Sequence, residues 1–258
     1  MKVKIGNSNI NYEVKGEGRT AIFFSGFEND MTAMIKSLEP IFESKQNWKR
    51  IYVDHIGVGD TEIGNDVDSV EDVLNTMLAF VDEIVGTENF VLGGYSFGGF
   101  LSRYIIGKRF DQVDGVLLLT PLIKNDMMNI DVDRNVQTIK YVDSTIQGEI
   151  DRRIQEDLVG AMQKTNMDFM MGLYEKNLNT KVELDKFNGV FNKPTLIITG
   201  RQDETVGYKD AFSILDKYPR ATYITLDKCG HAAQFQQVDI YKQLITEWIY
   251  RLEEEQSR

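Results

Sequence analysis

The stretch FVLGGYSFGGF, residues 90–100, has the pattern of a strand, a tight turn and a helix. Its apolar start is typical of a buried strand, and the residues after Ser96 can begin a helix. The Gly-x-Ser-x-Gly pattern between them is typical of a turn so tight that the serine adopts a strained backbone conformation. Glycine is needed at positions 94 and 98 because a Cβ there would collide with the neighbouring strand or helix. The alternative is a glycine-rich turn whose serine has no catalytic role. The presence of Asp203 and His231 later in the chain disfavours it.

Strands and helices alternate on both sides of this turn. The predicted strands lie near residues 3–5, 10–14, 21–24, 51–53, 90–92, 113–119, 194–199 and 221–226. The predicted helices cover 29–42, 69–85, 97–109 and 208–217, followed by a closing helix that carries residues 235–252. Ser69 and Asp72 have the spacing of a capping box at the start of the second helix. This alternation predicts an α/β fold with a mostly parallel, eight-stranded sheet and helices on both faces.

Residues 122–190 break the alternation, since they show helical spacing and a Met-rich stretch but no obvious strand. We therefore predict a core domain from 1–121 and 191–258, with a helical cap inserted after the sixth strand. The methionines of the cap either fill an irregular helical interface or line an adaptable apolar pocket above Ser96, and the two interpretations are compatible. The candidate substrate-binding residues are Gly26, Tyr95, Met127, Met167 and Met170.

Composition restricts the kinds of partner. A net charge of −11 disfavours nucleic acid or an anionic membrane surface, because either would repel the average surface of the protein. A single cysteine excludes an intrachain disulfide framework, and no apolar run approaches the roughly 18 residues of a membrane span. The first residues lack the apolar stretch of a secretory signal, so a cytoplasmic location is expected. We expect a small-molecule substrate, and the sequence does not determine the oligomeric state.

A serine becomes a useful nucleophile only when a base removes its proton, and the base needs a partner that fixes its tautomer. Parallel sheets deliver such groups from loops at the carboxyl ends of their strands. The strand near 194–199 leads to Asp203, and the strand near 221–226 leads to His231. The chain order is therefore serine, acid, histidine. Glu204 is adjacent to Asp203 and is the alternative acid.

Other reactive residues have simpler interpretations. His55 is expected to be structural or to line a pocket, and Asp54 is expected to hold the turn before Gly57 and Gly59. Cys229 lies two residues before His231 but lacks a tight turn, so it is expected to be a packed small residue. No phosphate-binding glycine motif follows residues 98–99, and two histidines with one cysteine give no zinc-type cluster. No cofactor or metal is expected.

At this point the chain resembles the α/β-hydrolase fold family, in its compact form with a lid after the sixth strand. The resemblance covers essentially the full length. It rests on the turn around Ser96, the later Asp203 and His231, the loop FSGF at residues 24–27 and the loop DHIGVGDT at residues 54–61. The resemblance implies that Ser96 is the nucleophile, that His231 is the general base and acid, and that Asp203 orients the histidine.

The resemblance also predicts an oxyanion hole, formed by the backbone N–H groups of Phe27 and Phe97. One preorganised donor of this kind typically contributes about 3–4 kcal/mol to stabilisation of the transition state. Many relatives carry a histidine immediately before the glycine of the oxyanion loop, and this chain has Ser25 there. The donors are backbone groups, so the hole does not depend on that side chain.

The expected activity is hydrolysis of a small or medium, largely uncharged carboxylic ester. Relatives use the same triad on carbon–carbon bonds, thioesters, lactones or amides, and the motif does not separate these substrates. A serine nucleophile argues against dehalogenase and epoxide hydrolase chemistry, which use a carboxylate in this family. A peptidase acting on N-terminal residues would need acidic groups in the cap, where Glu149, Asp151, Glu156 and Asp157 have spacing that also suits a solvated face. A signalling receptor with slow turnover is the alternative from a different class.

Overall fold

The computed structural model describes residues 1–124, 130–133, 137–177, 182, 184–185 and 187–256. Its strands are β1 Lys2–Ile5, β2 Ser8–Lys15, β3 Arg19–Phe24, β4 Trp48–Val53, β5 Phe90–Tyr95, β6 Val113–Leu119, β7 Thr195–Gly200 and β8 Ala221–Leu226. Its α-helices are α1 Thr32–Phe42, α2 Val70–Val85, α3 Phe97–Lys108, α4 Ser144–Arg153, α5 Met167–Asn177, α6 Lys209–Phe212, α7 Ala233–Gln236 and α8 Val238–Gln256. No described helix is both long enough and apolar enough to cross a membrane.

All eight strands form one sheet in the order β1-β2-β4-β3-β5-β6-β7-β8. The pairs that involve β1 and β2 are antiparallel, and the other pairs are parallel. The predicted mostly parallel sheet is therefore confirmed. Because β3, β5, β7 and β8 run in the same direction, the loops that follow them meet at one edge of the sheet.

Alternating side chains of the strands supply two separate hydrophobic cores. On β3, Ile22 and Phe24 belong to the core that also contains the apolar faces of α2 and α3. The intervening residues Ala21 and Phe23 belong to the core that contains the apolar faces of α1 and α8. Successive strand residues point to opposite faces, so this alternation shows that helices cover both sides of the sheet.

Local signals set most helix boundaries. The Ser69 hydroxyl accepts a hydrogen bond from Asp72 N at 3.1 Å, and the Asp72 carboxylate accepts one from Ser69 N at 3.0 Å. This reciprocal capping box starts α2 as predicted. In contrast, α1 begins at Thr32 rather than near residue 29, because the Asp30 carboxylate bonds to Thr32 N at 2.9 Å in the loop before the helix.

Helices occupy the described part of the segment between β6 and β7. A π-helical turn, Ile154–Val159, and a 3-10 turn, Gly160–Met162, connect α4 to the loop before α5. This segment is bonded to the residues after β3: Asp30 N donates to Ala161 O at 2.9 Å, and Asn29 Nδ2 donates to Leu158 O at 3.2 Å. The helical segment therefore lies over the edge of the sheet where the parallel strands end.

Candidate active site

Ser96 occupies a strained turn between β5 and α3. Its φ is 53° and its ψ is −113°, a combination that non-glycine residues rarely adopt. Backbone hydrogen bonds hold the turn in place: Ser96 N donates to Leu119 O at 2.9 Å, and Ser96 O accepts from Leu122 N at 3.0 Å. These bonds compensate for the local strain and leave the side chain free to point away from the sheet.

The glycines on either side of Ser96 allow this close packing. A Cβ at Gly94 would overlap the backbone of Gly98 in the first turn of α3. A Cβ at Gly98 would overlap the carbonyl of Phe24 at the end of β3. Both collisions are with backbone atoms, which cannot rotate away, so the Gly-x-Ser-x-Gly pattern follows from the packing of strand and helix.

His231 and Asp203 come together at the same edge of the sheet. Asp203 Oδ2 lies 2.8 Å from His231 Nδ1, and Asp203 is only 3% exposed. The other carboxylate oxygen accepts hydrogen bonds from the backbone N–H groups of Thr205 and Val206 at 2.8 and 3.0 Å. Glu204, the alternative acid, is exposed. The contact to the imidazole is thus made by Asp203, whose side chain is fixed by three hydrogen-bond donors.

Two residues that the sequence did not single out hold the loop of His231. Gln202 Nε2 donates to Asp227 Oδ1 at 2.8 Å, and Gln202 Oε1 accepts from Cys229 N at 3.0 Å. The Thr120 hydroxyl donates to His231 O at 2.9 Å. Gln202 and Thr120 follow strands, as Asp203 and Ser96 do. The sequence of a polar residue at a strand end does not show whether its side chain holds a neighbouring loop or is exposed to solvent.

Residues 25–30, the loop predicted to carry one N–H group of the oxyanion hole and called the oxyanion loop below, lie beside the start of α3. The rings of Phe27 and Phe97 contact edge-to-face with centroids 5.5 Å apart. Phe97 is the first residue of α3, where an N–H has no partner within the helix. Among the described residues, no backbone hydrogen bond uses the Phe27 N–H. Phe27 and Phe97 thus each carry an N–H group without a backbone partner among the described residues, as the donors of an oxyanion site require.

A cavity of about 490 Å³ connects these groups. Its lining includes Ser96, His231, Gly26 and Tyr95 together with both phenylalanines of the preceding paragraph. The remaining lining is largely apolar and comprises Glu28, Asn29, Val70, Phe100, Leu122, Leu158, Met162, Met171, Tyr174, Thr205 and Val206. Although Ser96 and His231 face the same cavity, the hydrogen bonds of the described residues do not include one between the Ser96 hydroxyl and the imidazole.

The methionines that reach the cavity are not those expected. Met162 and Met171 line it, whereas Met170 is completely buried in the core and Met167 is 41% exposed. Successive residues of a helix differ by about 100° in direction, so adjacent positions of α5 face the core and the cavity. The described lining of the cavity therefore includes neither Met167 nor Met170, although both were predicted to line it. Met127, the third predicted methionine, lies outside the described residues.

Cys229 is a buried thiol rather than a nucleophile. It is 1% exposed, and burial raises the pKa of its thiol to about 12. At pH 8 we expect iodoacetamide to alkylate the native protein about 10³-fold more slowly than the unfolded chain, whose cysteine has an ordinary pKa of about 8.5. Mass spectrometry over time measures both rates, with Cys229→Ala as the unlabelled control. Equal rates in the native and unfolded protein would contradict this assignment.

Most of the chain matches one known protein family. The family described as serine aminopeptidase, S33, matches residues 22–237, which include Ser96, Asp203 and His231. The chain belongs to this family of α/β hydrolases. The match spans the oxyanion loop, the turn at Ser96, the helical segment and the loop of His231, so every part of the candidate site lies within the matched residues. No curated protein sequence matches the chain.

Solved structures share the fold of this family member. An α/β superfamily hydrolase from Oenococcus oeni is 22% identical with a TM-score of 0.81, over 98% of this chain and 99% of that one. A thermophilic esterase from Thermogutta terrifontis is 16% identical with a TM-score of 0.69, over 98% and 99%. A meta-cleavage product hydrolase from Pseudomonas fluorescens is 19% identical with a TM-score of 0.75, over 97% of each chain. At these identities the likeness establishes the fold, and the predicted α/β-hydrolase architecture is confirmed.

Proposed function

We propose that this chain is a serine hydrolase that cleaves uncharged, largely apolar acyl compounds, with carboxylic esters as its first substrate class. One observation carries the proposal: a serine in a strained turn faces the same cavity as a histidine that is hydrogen-bonded to a buried carboxylate. Membership of a hydrolase family and the fold of esterases support it. The proposed reaction uses only side chains and backbone groups of this chain.

In the proposed reaction Ser96 Oγ attacks the carbonyl carbon of the ester while His231 Nε2 accepts the hydroxyl proton. The carbonyl oxygen becomes an oxyanion held by the N–H groups of Phe27 and Phe97. Collapse of this intermediate breaks the bond to the alcohol, which leaves with the proton from His231. Water then attacks the acyl group on Ser96 in the same way and releases the acid.

Asp203 has a supporting part in this scheme. Its hydrogen bond to Nδ1 leaves Nε2 as the nitrogen that faces the cavity, and its charge stabilises the imidazolium that forms during attack. Because Ser96 and His231 are not hydrogen-bonded to each other here, we assign closure of that contact to substrate binding. Catalytic hydrogen bonds in ligand-free enzymes are often long and tighten only in the complex.

The cavity favours a neutral, apolar acyl group. Among the described lining residues none is a lysine or arginine, and Glu28 is the one acidic residue. A substrate carboxylate would thus enter a pocket without a cationic partner, at a desolvation cost of several kcal/mol. Leu158, Met162 and Met171 contribute apolar surface from the helical segment. We propose on this basis that residues 122–190 act as a cap that sets acyl preference.

An aminopeptidase activity is the second candidate, favoured by the presence of Glu28 in the cavity. The cap carboxylates considered for this activity do not support it. Glu149 is exposed and paired with Arg152 and Arg153, and Glu156 is also exposed and paired with Arg152. Asp157 is paired with Lys36 at 2.8 Å. Asp151, the fourth, is exposed and accepts a hydrogen bond from Gln147 Nε2 at 2.9 Å. None of the four lines the cavity, where Glu28 is the one carboxylate among the described lining residues.

A panel of p-nitrophenyl esters tests the proposal. With rising acyl length, kcat/KM should increase by about fourfold for each CH₂ that becomes buried, until the cavity is full, since each contributes about 0.8 kcal/mol. Esters whose acyl chain ends in a carboxylate should react at least about 100-fold more slowly than neutral ones of equal length, because the cavity offers no cation.

Amino-acid p-nitroanilides complete this panel, with Glu28→Gln as the matched variant. The ester proposal predicts that Glu28→Gln leaves neutral esters unaffected. Faster cleavage of the anilides than of the esters, together with its loss in Glu28→Gln, would establish the peptidase instead. No turnover of any ester, thioester or lactone by a protein that is still labelled at Ser96 would favour the receptor alternative.

A further inference from the structure

His55 lies beneath the oxyanion loop and is completely buried. Its Nε2 lies 2.8 Å from Gly26 O, and its Nδ1 lies 2.9 Å from Ile56 O. The ring also packs edge-on against Phe97, with the centroids 5.4 Å apart. A single side chain from the loop after β4 therefore contacts the backbone before Phe27 and the side chain of Phe97, the two residues whose N–H groups lack a backbone partner.

The peptide group between Gly26 and Phe27 links His55 to the reacting centre. In a planar trans peptide the C=O and the N–H point in opposite directions, and the described residues contain no cis peptide. The Gly26 carbonyl faces His55 Nε2 and also accepts a hydrogen bond from Asn29 N at 3.1 Å. Fixing this carbonyl fixes the direction of the Phe27 N–H, and hydrogen bonds to the carbonyl make that N–H a stronger donor.

Ser25 does not provide this support, although it precedes Gly26. It is fully buried, and its hydroxyl has no hydrogen-bond partner among the described residues. Of the described side chains, His55 is the one whose hydrogen bond reaches the Gly26 carbonyl. The loop that carries one donor of the oxyanion site is thus held from a different strand, 29 residues further along the chain.

We propose that His55 is a positioning residue, which donates Nε2–H to Gly26 O and thereby aims the Phe27 N–H at the oxyanion. The inference rests on the proposed hydrolase function for its catalytic consequence, but the hydrogen bond itself does not. A proton on Nε2 satisfies the contact between the two loops in both the neutral and the doubly protonated ring. Burial lowers the pKa of His55 and favours the neutral ring.

Nuclear magnetic resonance of the imidazole nitrogens tests the hydrogen bond without any substrate. We expect Nε2 of His55 to carry a slowly exchanging proton, and the Asn29 N–H to exchange at least about 10-fold faster in His55→Leu. The Trp248 indole N–H, which donates to Pro194 O at 3.1 Å in the opposite core, is the internal reference. A ring protonated only on Nδ1, or unchanged exchange at Asn29, overturns the inference whether or not the protein is a hydrolase.

Kinetics test the consequence for catalysis. We expect His55→Leu to lower kcat on a neutral ester by about 10- to 100-fold with little change in KM, because a misdirected donor weakens the transition state alone. His55→Gln retains an amide N–H and should recover at least about fivefold of the loss. A trifluoromethyl ketone, which becomes an oxyanion on Ser96, should bind His55→Leu more weakly by a similar factor.

Tyr52→Phe is the matched control for lost stability. It removes a buried hydroxyl that donates to Glu39 at 2.6 Å, in the core on the other face of the sheet. It should lower Tm without changing kcat. If His55→Leu behaves in the same way, or if His55→Gln recovers nothing, His55 is structural and the inference fails. Wild-type protein that turns over no ester contradicts the proposed function, and the imidazole measurement then still decides the positioning of the loop.

Discussion

Ser96→Ala is expected to lower kcat on the best ester by roughly 10⁵- to 10⁶-fold, because it removes the atom that forms the acyl-enzyme. The variant should fold normally, since alanine keeps a Cβ at the same strained φ of 53° and loses only the hydroxyl. A fluorophosphonate probe should label the wild type on the peptide that contains Ser96 and leave the variant unlabelled. Intact-mass spectrometry and steady-state kinetics measure the two effects.

Ser96→Gly separates strain from chemistry in the same turn. It should be as inactive as Ser96→Ala but more stable by about 1 kcal/mol, because glycine tolerates the backbone conformation that this turn imposes. Chemical denaturation of both variants measures this difference. Substantial activity or labelling in Ser96→Ala would show that another group is the nucleophile. Equal stability of the two variants would show that the turn stores little strain.

The sequence predicted the sheet because its signal is local. Each buried strand is a short apolar run, as in Ala21–Phe24, and glycines or polar residues bound it. The α2 helix combines a capping box with apolar residues at helical spacing, so its start was predicted correctly. The serine, acid and histidine follow strands that run in the same direction, and direction alone brings such residues to one edge.

Other features depend on contacts that no local pattern encodes. The expected helix at 208–217 is reduced to α6 and a 3-10 turn, Leu215–Lys217, because Asp210 O accepts the Ser213 hydroxyl and its carboxylate binds Lys124. The closing helix is divided before α8, where Gln237 turns away from helical geometry and its side chain bonds to Asp227 O at 2.8 Å. At both places a polar side chain makes a contact that the helical spacing of the sequence does not encode.

Contacts between residues far apart in the chain also explain which features of the site could not be predicted. His55 was expected to be structural or to line a pocket, and only the folded chain places its Nε2 against the Gly26 carbonyl. Which face of α5 meets the cavity depends on how the helical segment packs on the rest of the chain, through contacts such as Asn166 N to Gly57 O at 2.9 Å. A pattern of methionines indicates that a helix has an apolar face, but it does not show which part of the protein that face packs against.

Asp203→Asn is the second prediction with a large expected effect. Asparagine can keep the hydrogen bonds from the backbone N–H groups of Thr205 and Val206, so the loop should keep its shape. Its amide N–H facing His231 would favour the tautomer that carries the proton on Nε2, which cannot accept the proton of Ser96. We therefore expect kcat to fall by about 10⁴-fold with KM changed by less than about threefold.

Glu204→Gln provides the matched control for Asp203→Asn, since it makes the same change of carboxylate to amide at the next residue, which is exposed. It should leave kcat within about twofold of wild type, as most surface substitutions do. Fluorophosphonate labelling of Asp203→Asn should be slow but should still occur at Ser96, because the nucleophile and the N–H donors remain. If Glu204→Gln were inactive and Asp203→Asn active, Glu204 would have to replace Asp203 as the acid partner of His231 during turnover. The 2.8 Å contact between Asp203 and His231 would then belong to a resting conformation rather than to the reacting enzyme.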